Sequence, residues 1–461
     1  MTTSLAALWT AAAREAITYR EGVSELRVGP AATYAEMVTS FGGPLPVAGV
    51  PAAAVIEELA HRAKPGLTTS TGPRFFGWVI GASHPVGVAA DWLTSTWGQN
   101  CANHHGMPAA SAAEAVAGQW LLEMLDLPRE SSMGFVTGAT VANMVSMAAA
   151  RTALLERQGW DVEADGLFGA PPIDVIVGDD AHTTVFMGLQ TLGLGAKRVT
   201  RIPTDAQGRM QAGAVEAALR KVQGPCLVVA QAGQLNTGAF DPFADVIPMA
   251  HAKGAWVHVD GAFGLWARVV PELKGMTAGI EQADSWATDG HKWLQTPYDC
   301  GYAIVRHPAP HRKAMTAAAS YLPVEAAGER DPSHYVPELS RRARGFATWA
   351  IIKHLGRDGI AAMVAKHCAL ARRFAARLAA EPGVAVLNDV VLNQAIVRFG
   401  DDDAATKEVV AGLQKDGTCY AGGALWRGKW VVRLSVIGGP TTEADIDRSA
   451  DAIIKVWRSI R

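Results

Sequence analysis

Apolar residues in this chain fall into two kinds of run, one short and one with helical spacing. Short runs that end at Gly, Asp or Pro read as strands, at residues 174–178, 198–202, 226–230 and 255–259. Helical spacing occupies residues 212–221 and 242–253 between them, and another helix begins from the segment at 181–185. Strands that alternate with helices imply parallel pairing through right-handed crossovers, with a site at the carboxyl ends of the strands. The middle of the chain is therefore expected to be an α/β domain.

The ends read differently. Residues 5–19 and 52–63 are expected helices joined by a Gly/Pro-rich connection through 42–46, too little for a core of their own. Beyond a strand at 302–306, residues 307–337 are loop-rich. Helices at 339–355, 359–380, 404–413 and from 442 onward, with strands at 384–387, 395–399, 419–421 and 430–436, predict a small α+β domain. The expected organisation is an N-terminal helical arm over 1–74, a large domain over 75–338 and a small C-terminal domain over 339–461.

Composition narrows the function classes. A net charge of −2 over 461 residues offers neither nucleic acid nor an anionic membrane a basic surface. The first 19 residues lack the basic start, apolar segment and cleavage site of a secretory leader, and no apolar run is long enough to span a bilayer. Five scattered cysteines without a CxxC pair argue against a disulfide framework or a structural zinc site, so a reducing cytoplasm is expected. His104 and His105 have no third ligand at metal-binding spacing, and no metal is expected.

Two turns carry the candidate chemistry. Asp260 follows the strand at 255–259 and is itself followed by Gly261 and Ala262, small enough for a flat ring to lie against the backbone. Lys292 follows His291 in a second turn. Pyridoxal phosphate needs this pair: a lysine amine for its Schiff base, and a carboxylate that keeps its ring nitrogen protonated. The glycine-containing segment 134–143 leads into a helix expected over 144–158; such a turn either presents free N–H groups to a phosphate or is an ordinary N-cap at Thr137 or Thr140, and the GxxxxGK[ST] pattern of a nucleotide triphosphate site is absent.

His258-Val259-Asp260-Gly261-Ala262, Asp284-Ser285, and His291-Lys292-Trp293-Leu294 running on to Asp299-Cys300-Gly301 resemble matching segments of a known family. It is the group II pyridoxal-phosphate-dependent amino-acid decarboxylases, which include aromatic-L-amino-acid and glutamate decarboxylases. The likeness runs from about Phe75 to the C-terminus. It implies the type I, aspartate-aminotransferase-like fold of pyridoxal-phosphate-dependent transferases, with a large parallel or mixed sheet. It also implies decarboxylation of an L-amino acid, an aromatic one favoured, to the amine and carbon dioxide. The cofactor would be pyridoxal 5'-phosphate in a Schiff base on Lys292. The partners implied are a small-molecule substrate and a second subunit, in a homodimer with the site at the interface and the arm packed across it.

The resemblance also distributes roles. Ala139 and Thr140 fall on the cofactor phosphate, His182 on the face of the ring, and Asp260 and Ala262 beside it. His291 falls at the phosphate or the lysine turn, and Trp78, His84 and Trp97 in the substrate pocket. Arg433 is a candidate for binding a carboxylate, or for a structural ion pair. The chain departs from the family at three places: Thr140-Val141 where Ser and Glu are common, Leu235-Asn236 where Thr-Thr is common, and the mobile-loop tyrosine. Asn236 and Thr237 can still bond the cofactor's phenolic oxygen, the lysine or the substrate. The family's loop tyrosine falls near Pro332, with Tyr335 three positions on and His334 adjacent. Tyr335 is therefore the first candidate proton donor, followed by Tyr321, His182 and His334. The displaced tyrosine leaves aldehyde synthesis or carbon–carbon cleavage as alternative outcomes, and a catalytically silent dimeric scaffold as a distant one.

Overall fold

The structure, a computed structural model, describes residues 4–316 and 329–461. Ser4 opens the first helix by accepting the Ala7 N–H at 3.2 Å, and α1 (Leu5–Gly22) is followed by α2 (Tyr34–Phe41) and α3 (Ala52–Ala63). The sequence reading missed α2, although Thr33 and Glu36 have the spacing of a capping box and do bond each other's backbone N–H. None of these three helices buries a residue. By contacts, residues 1–82 group with 372–387 and 396–461 as one compact unit, and 83–371 with 388–395 as the other.

The second unit begins with α4 (Pro85–Trp97) and α5 (Pro108–Met124), then β1 (Ser132–Val136), α6 (Ala139–Glu156) and the short α7 (Val162–Asp165). The alternation predicted from sequence follows: β2 (Asp174–Gly178), α8 (Thr183–Thr191), β3 (Thr200–Ile202), α9 (Ala212–Leu219), β4 (Cys226–Gln231), α10 (Phe243–His251) and β5 (Trp256–Asp260). Two further strands, β6 (Ser285–Asp289) and β7 (Gly301–Val305), and α11 (Pro308–Met315) complete it. The seven strands lie in the order β1-β7-β6-β5-β4-β2-β3, parallel from β3 to β6, with β7 antiparallel to both β6 and β1. Met147 and Leu154 of α6 and Val185 and Leu189 of α8 pack on Val175, Val177, Leu227, Val229 and Trp256 of the sheet. Burial of these side chains, at roughly 1.5–3 kcal/mol each, holds the helices to the strands.

Strands β1 and β6 escaped the sequence reading because their composition hides them. β1 has Gly134 at its centre, where a Cβ would lie 2.1 Å from the carbonyl oxygen of Tyr335, so a close backbone pass requires glycine. β6 contains Ser285, Thr288 and Asp289 yet is buried throughout, and its polar groups belong to the site.

Helix α12 (Gly345–Ala379) breaks at Gly356, which has φ +64°, so the two helices expected on either side of this point meet there. Strands β8 (Val384–Val386) and β9 (Gln394–Phe399), helix α13 (Asp403–Asp416), strands β10 (Gly422–Trp426) and β11 (Lys429–Ser435), and α14 (Glu443–Ser459) follow. They form a four-stranded sheet ordered β10-β11-β9-β8. The strand expected at 419–421 lies one step later, as β10.

Candidate active site

Parallel strands bring their carboxyl ends to one edge of the sheet, and the candidate residues gather there. Gln231 is in register with Asp260, Asp260 with Ala287, and Asp289 and Val136 each with Gly301. The turn after Asp260 is sewn to β6, because Gly261 donates to the Ala287 carbonyl and Asp289 to that of Ala262, each at 2.9 Å. A side chain at Gly301 would meet the Gly138 backbone at 2.5 Å, so this tight pass of two loops depends on glycine.

Asp260 is buried, which raises its carboxyl pKa. His182 and Lys292 oppose that rise, joined by the Ala262 N–H, 3.2 Å from Oδ1, and by the Asn143 amide. His182 starts α8, and its Nδ1 accepts the Thr184 N–H at 3.3 Å. The ring therefore carries its proton on Nε2 when neutral.

Lys292 Nζ lies 3.0 Å from Asp289 Oδ2 and 5.9 Å from the centre of the Phe263 ring. Asp289 has no role in the reading of the sequence above. Its Oδ1 accepts the Ala139 N–H at 2.6 Å, so one buried carboxylate joins the lysine turn to the start of α6. The available signal was a carboxylate ending an apolar-flanked segment three residues before the lysine. His291 accepts the Cys300 N–H at Nδ1 (3.2 Å), turns Nε2 toward Asp289 (3.5 Å) and stacks on Tyr298 with ring centres 4.4 Å apart. Burial lowers its pKa and favours the neutral ring.

These residues suit a flat, phosphorylated cofactor. Gly138 brings no capping side chain to α6, and with the Ala139 N–H taken by Asp289 it is the following N–H groups of the first turn, from Thr140 on, that can meet an anion. A Cβ at Gly138 would meet His291 at 3.0 Å and Asp289 at 3.2 Å, which keeps the cradle narrow. Asn236 Oδ1 is buried with no hydrogen-bond partner among the described residues, as expected of a group that awaits a ligand. Thr237 is already engaged, since its hydroxyl donates to the Gln207 carbonyl at 2.6 Å.

A pyridoxal-dependent decarboxylase conserved domain matches residues 44–399. The chain belongs to the pyridoxal-dependent decarboxylase family. Its cofactor is pyridoxal phosphate, and its large mixed sheet with covering helices is the type I fold. Among similar curated proteins, tryptophan decarboxylase 1 of Oryza sativa subsp. japonica is 28% identical over 443 residues, covering 89% of this chain and 85% of that one. The 4-hydroxyphenylacetaldehyde synthase of Rhodiola rosea is 26% identical over 434 residues, covering 88% and 84% respectively. A crystal structure of Oryza sativa TDC with PLP and tryptamine superposes with a TM-score of 0.91 at 23% identity, covering 99% of this chain and 98% of that one.

The remaining candidates lie in distinct surroundings. Tyr335 is buried, with Arg330 4.3 Å over its ring and His311 edge-on at 5.2 Å. Its carbonyl accepts from His311 Nε2 at 3.0 Å. His334 is also buried, and Tyr321 lies outside the described residues. His84 accepts the Val86 N–H at the start of α4, and Trp97 ends that helix with its ring edge-on to Phe346. Trp78 belongs to the first unit, where it packs on Phe75 and Tyr420. Arg433 lies on β11 of the same unit.

Proposed function

We propose that this decarboxylase acts on an aromatic L-amino acid, releasing carbon dioxide and the arylalkylamine, with the cofactor attached through Lys292. The observation that carries the reading is the buried Asp260 carboxylate, acted on by both His182 and Lys292. When bound, pyridoxal phosphate supplies a cationic ring that accepts the electron pair left on Cα as the carboxylate departs. Asp260 holds the proton on the ring nitrogen, and His182 covers one face of the ring. Asp289 Oδ2, 3.0 Å from Lys292 Nζ, holds the amine at the end of the lysine turn. The first turn of α6 at Ala139 and Thr140, with His291, binds the phosphate, and Asn236 Oδ1 accepts from the cofactor or substrate. Ala262 leaves space beside the ring. His84, Trp97 and Trp78 contribute to choosing the side chain, and aromatic relatives support an aromatic substrate.

Tyr335 is proposed to return a proton to Cα. A second reading, aldehyde formation, is favoured by the likeness to the Rhodiola synthase. The two separate in one experiment that measures carbon dioxide, amine, aldehyde and peroxide from a panel of amino acids. The expected result is one amine per carbon dioxide from tryptophan, tyrosine or phenylalanine, and aldehyde with peroxide would replace this reading by the second. Tyr335→Phe is expected to cut amine formation by about 100-fold, the usual scale of general acid catalysis, while carbon dioxide release falls less.

The assembly is proposed to be a homodimer, joined through the arm at 1–74, with the site at the interface. Leu5, Trp9, Tyr34, Phe41 and Leu45 stand exposed, Tyr34 at 86% and Leu45 at 90%. A groove of about 690 Å³ runs between α1 and α3 among Ala12, Tyr19, Ile56 and Leu59. A second copy of the arm would cover this apolar surface. Sedimentation is expected to give twice the chain mass, and Trp9→Glu with Phe41→Glu to give monomer that loses cofactor on dilution; a wild-type monomer retaining activity would refute the assembly. Among the described residues no helix is long and apolar enough to cross a membrane. A cytoplasmic location is proposed on the five scattered cysteines, which include no CxxC pair.

A further inference from the structure

Behind Asp260 lies a row of buried polar groups to which the assignments above give no part. Trp256 Nε1 lies 2.9 Å from Ser285 Oγ, Ser285 Oγ 2.9 Å from His258 Nδ1, and His258 Nε2 2.8 Å from Asn143 Oδ1. All four side chains are fully buried. Polar groups in such a place cost stability unless each is matched, so a row of four beside a catalytic carboxylate calls for a reason.

The two ends of the row fix every direction within it. An indole N–H can only donate, so Ser285 Oγ accepts from Trp256; an amide oxygen can only accept, so the neutral His258 keeps its hydrogen on Nε2 and its Nδ1 accepts the Ser285 hydroxyl. The imidazole then carries its hydrogen on Nε2 and donates to Asn143 Oδ1. Burial pushes the pKa of His258 down to about 3, so the ring is neutral and has one N–H to give. At the other end an ionised carboxylate can only accept, which requires that the Asn143 N–H₂ group be the one presented to Asp260. Asn143 Nδ2 is buried without a hydrogen bond at normal distance among the described residues, so the amide has no other group to serve, and it acts on Asp260 by lowering its pKa. Both constraints give the same orientation.

We infer that Trp256, Ser285, His258 and Asn143 form a one-way hydrogen-bond relay that aims the Asn143 amide at Asp260 and keeps that carboxylate ionised toward the cofactor ring. The four are positioning residues, acting through Asp260. The inference rests on the reading of Asp260 as the ring-nitrogen partner. Asn143 ties the site to α6, and His258 and Trp256 belong to the same strand as Asp260, so the relay also fixes the carboxylate against the sheet.

The test uses holoenzyme carrying cofactor labelled with ¹⁵N in its ring. Asn143→Leu and His258→Leu are expected to move the nitrogen signal toward the unprotonated position and to lower kcat about tenfold, with KM within about twofold. His258→Gln, whose amide can accept from Ser285 and donate to Asn143, is expected to restore the signal. Ser285→Ala removes a single hydroxyl and is expected to give an intermediate shift, which provides the test should a leucine variant not fold. Asp260→Asn is the control for the parent reading. If it shifts the signal while the folded relay variants keep the wild-type signal and kcat, the relay is refuted and Asp260 stands. An unchanged signal in Asp260→Asn overturns the parent reading.

Discussion

Lys292→Ala is expected to lose the visible absorption of the lysine-bound cofactor and at least about a thousand-fold in turnover, or about 4 kcal/mol of barrier. Lys292 acts on Asp260 together with His182 and pairs with Asp289 at 3.0 Å. Borohydride treatment of the wild-type protein followed by peptide mass analysis should place the cofactor on Lys292; a label on another lysine, or a retained band in Lys292→Ala, would remove the assignment. The fold should survive. Asp289 keeps the Ala139 N–H after the amine is gone, and Lys292 is not fully buried, so the variant leaves one charge-assisted bond in place of two. A near-normal melting transition with no visible cofactor band is the combined signature. Asp289→Asn supplies the contrast: it can still accept from Ala139 but loses the charge that holds the amine, so cofactor attachment should slow while the fold is unaffected.

How far the site could be read from the chain depended on whether each residue's role was local. Asp260 and Lys292 were legible because a carboxylate at a strand end and a lysine in a small-residue turn are signals that lie within a few positions of one another. His182 was legible from the family likeness, since a histidine after a strand says little by itself. Asp289 was missed for a different reason. Its role comes from the register of β6 against β7 and the approach of Gly138 to Gly301, which only the assembled sheet supplies. Strand β6 shows the same difficulty at the level of the fold. A buried strand that ends in the site carries serine, threonine and aspartate, so hydropathy reads it as a turn. Helices α6, α8 and α10 and strands β2, β4 and β5 were placed within a few residues because period and burial agree there. Asn143 and His258 look like ordinary core-facing positions of a helix and a strand, and nothing in their local sequence shows that they meet.

Asp260→Ala is expected to lower kcat by about 100- to 1000-fold while leaving the cofactor covalently attached, which separates it from Lys292→Ala. The reasoning starts from burial. Desolvation raises the carboxyl pKa of Asp260, so in the absence of a cation it protonates at a higher pH than an exposed aspartate. Protonation removes the charge that the ring nitrogen needs. The acid limb of kcat should therefore follow this carboxyl, with activity lost as pH falls through its pKa. His182, Lys292, the Ala262 N–H and the Asn143 amide all pull the other way, so removing any of them moves the limb to higher pH. Asp260→Asn keeps the shape and the Ala262 bond but has no charge to titrate, and its profile should lose that limb altogether. Near-normal turnover in Asp260→Ala, with cofactor bound and the protein folded, would show that the electron pair on Cα is stabilised without a protonated ring and would transfer the central role to another group.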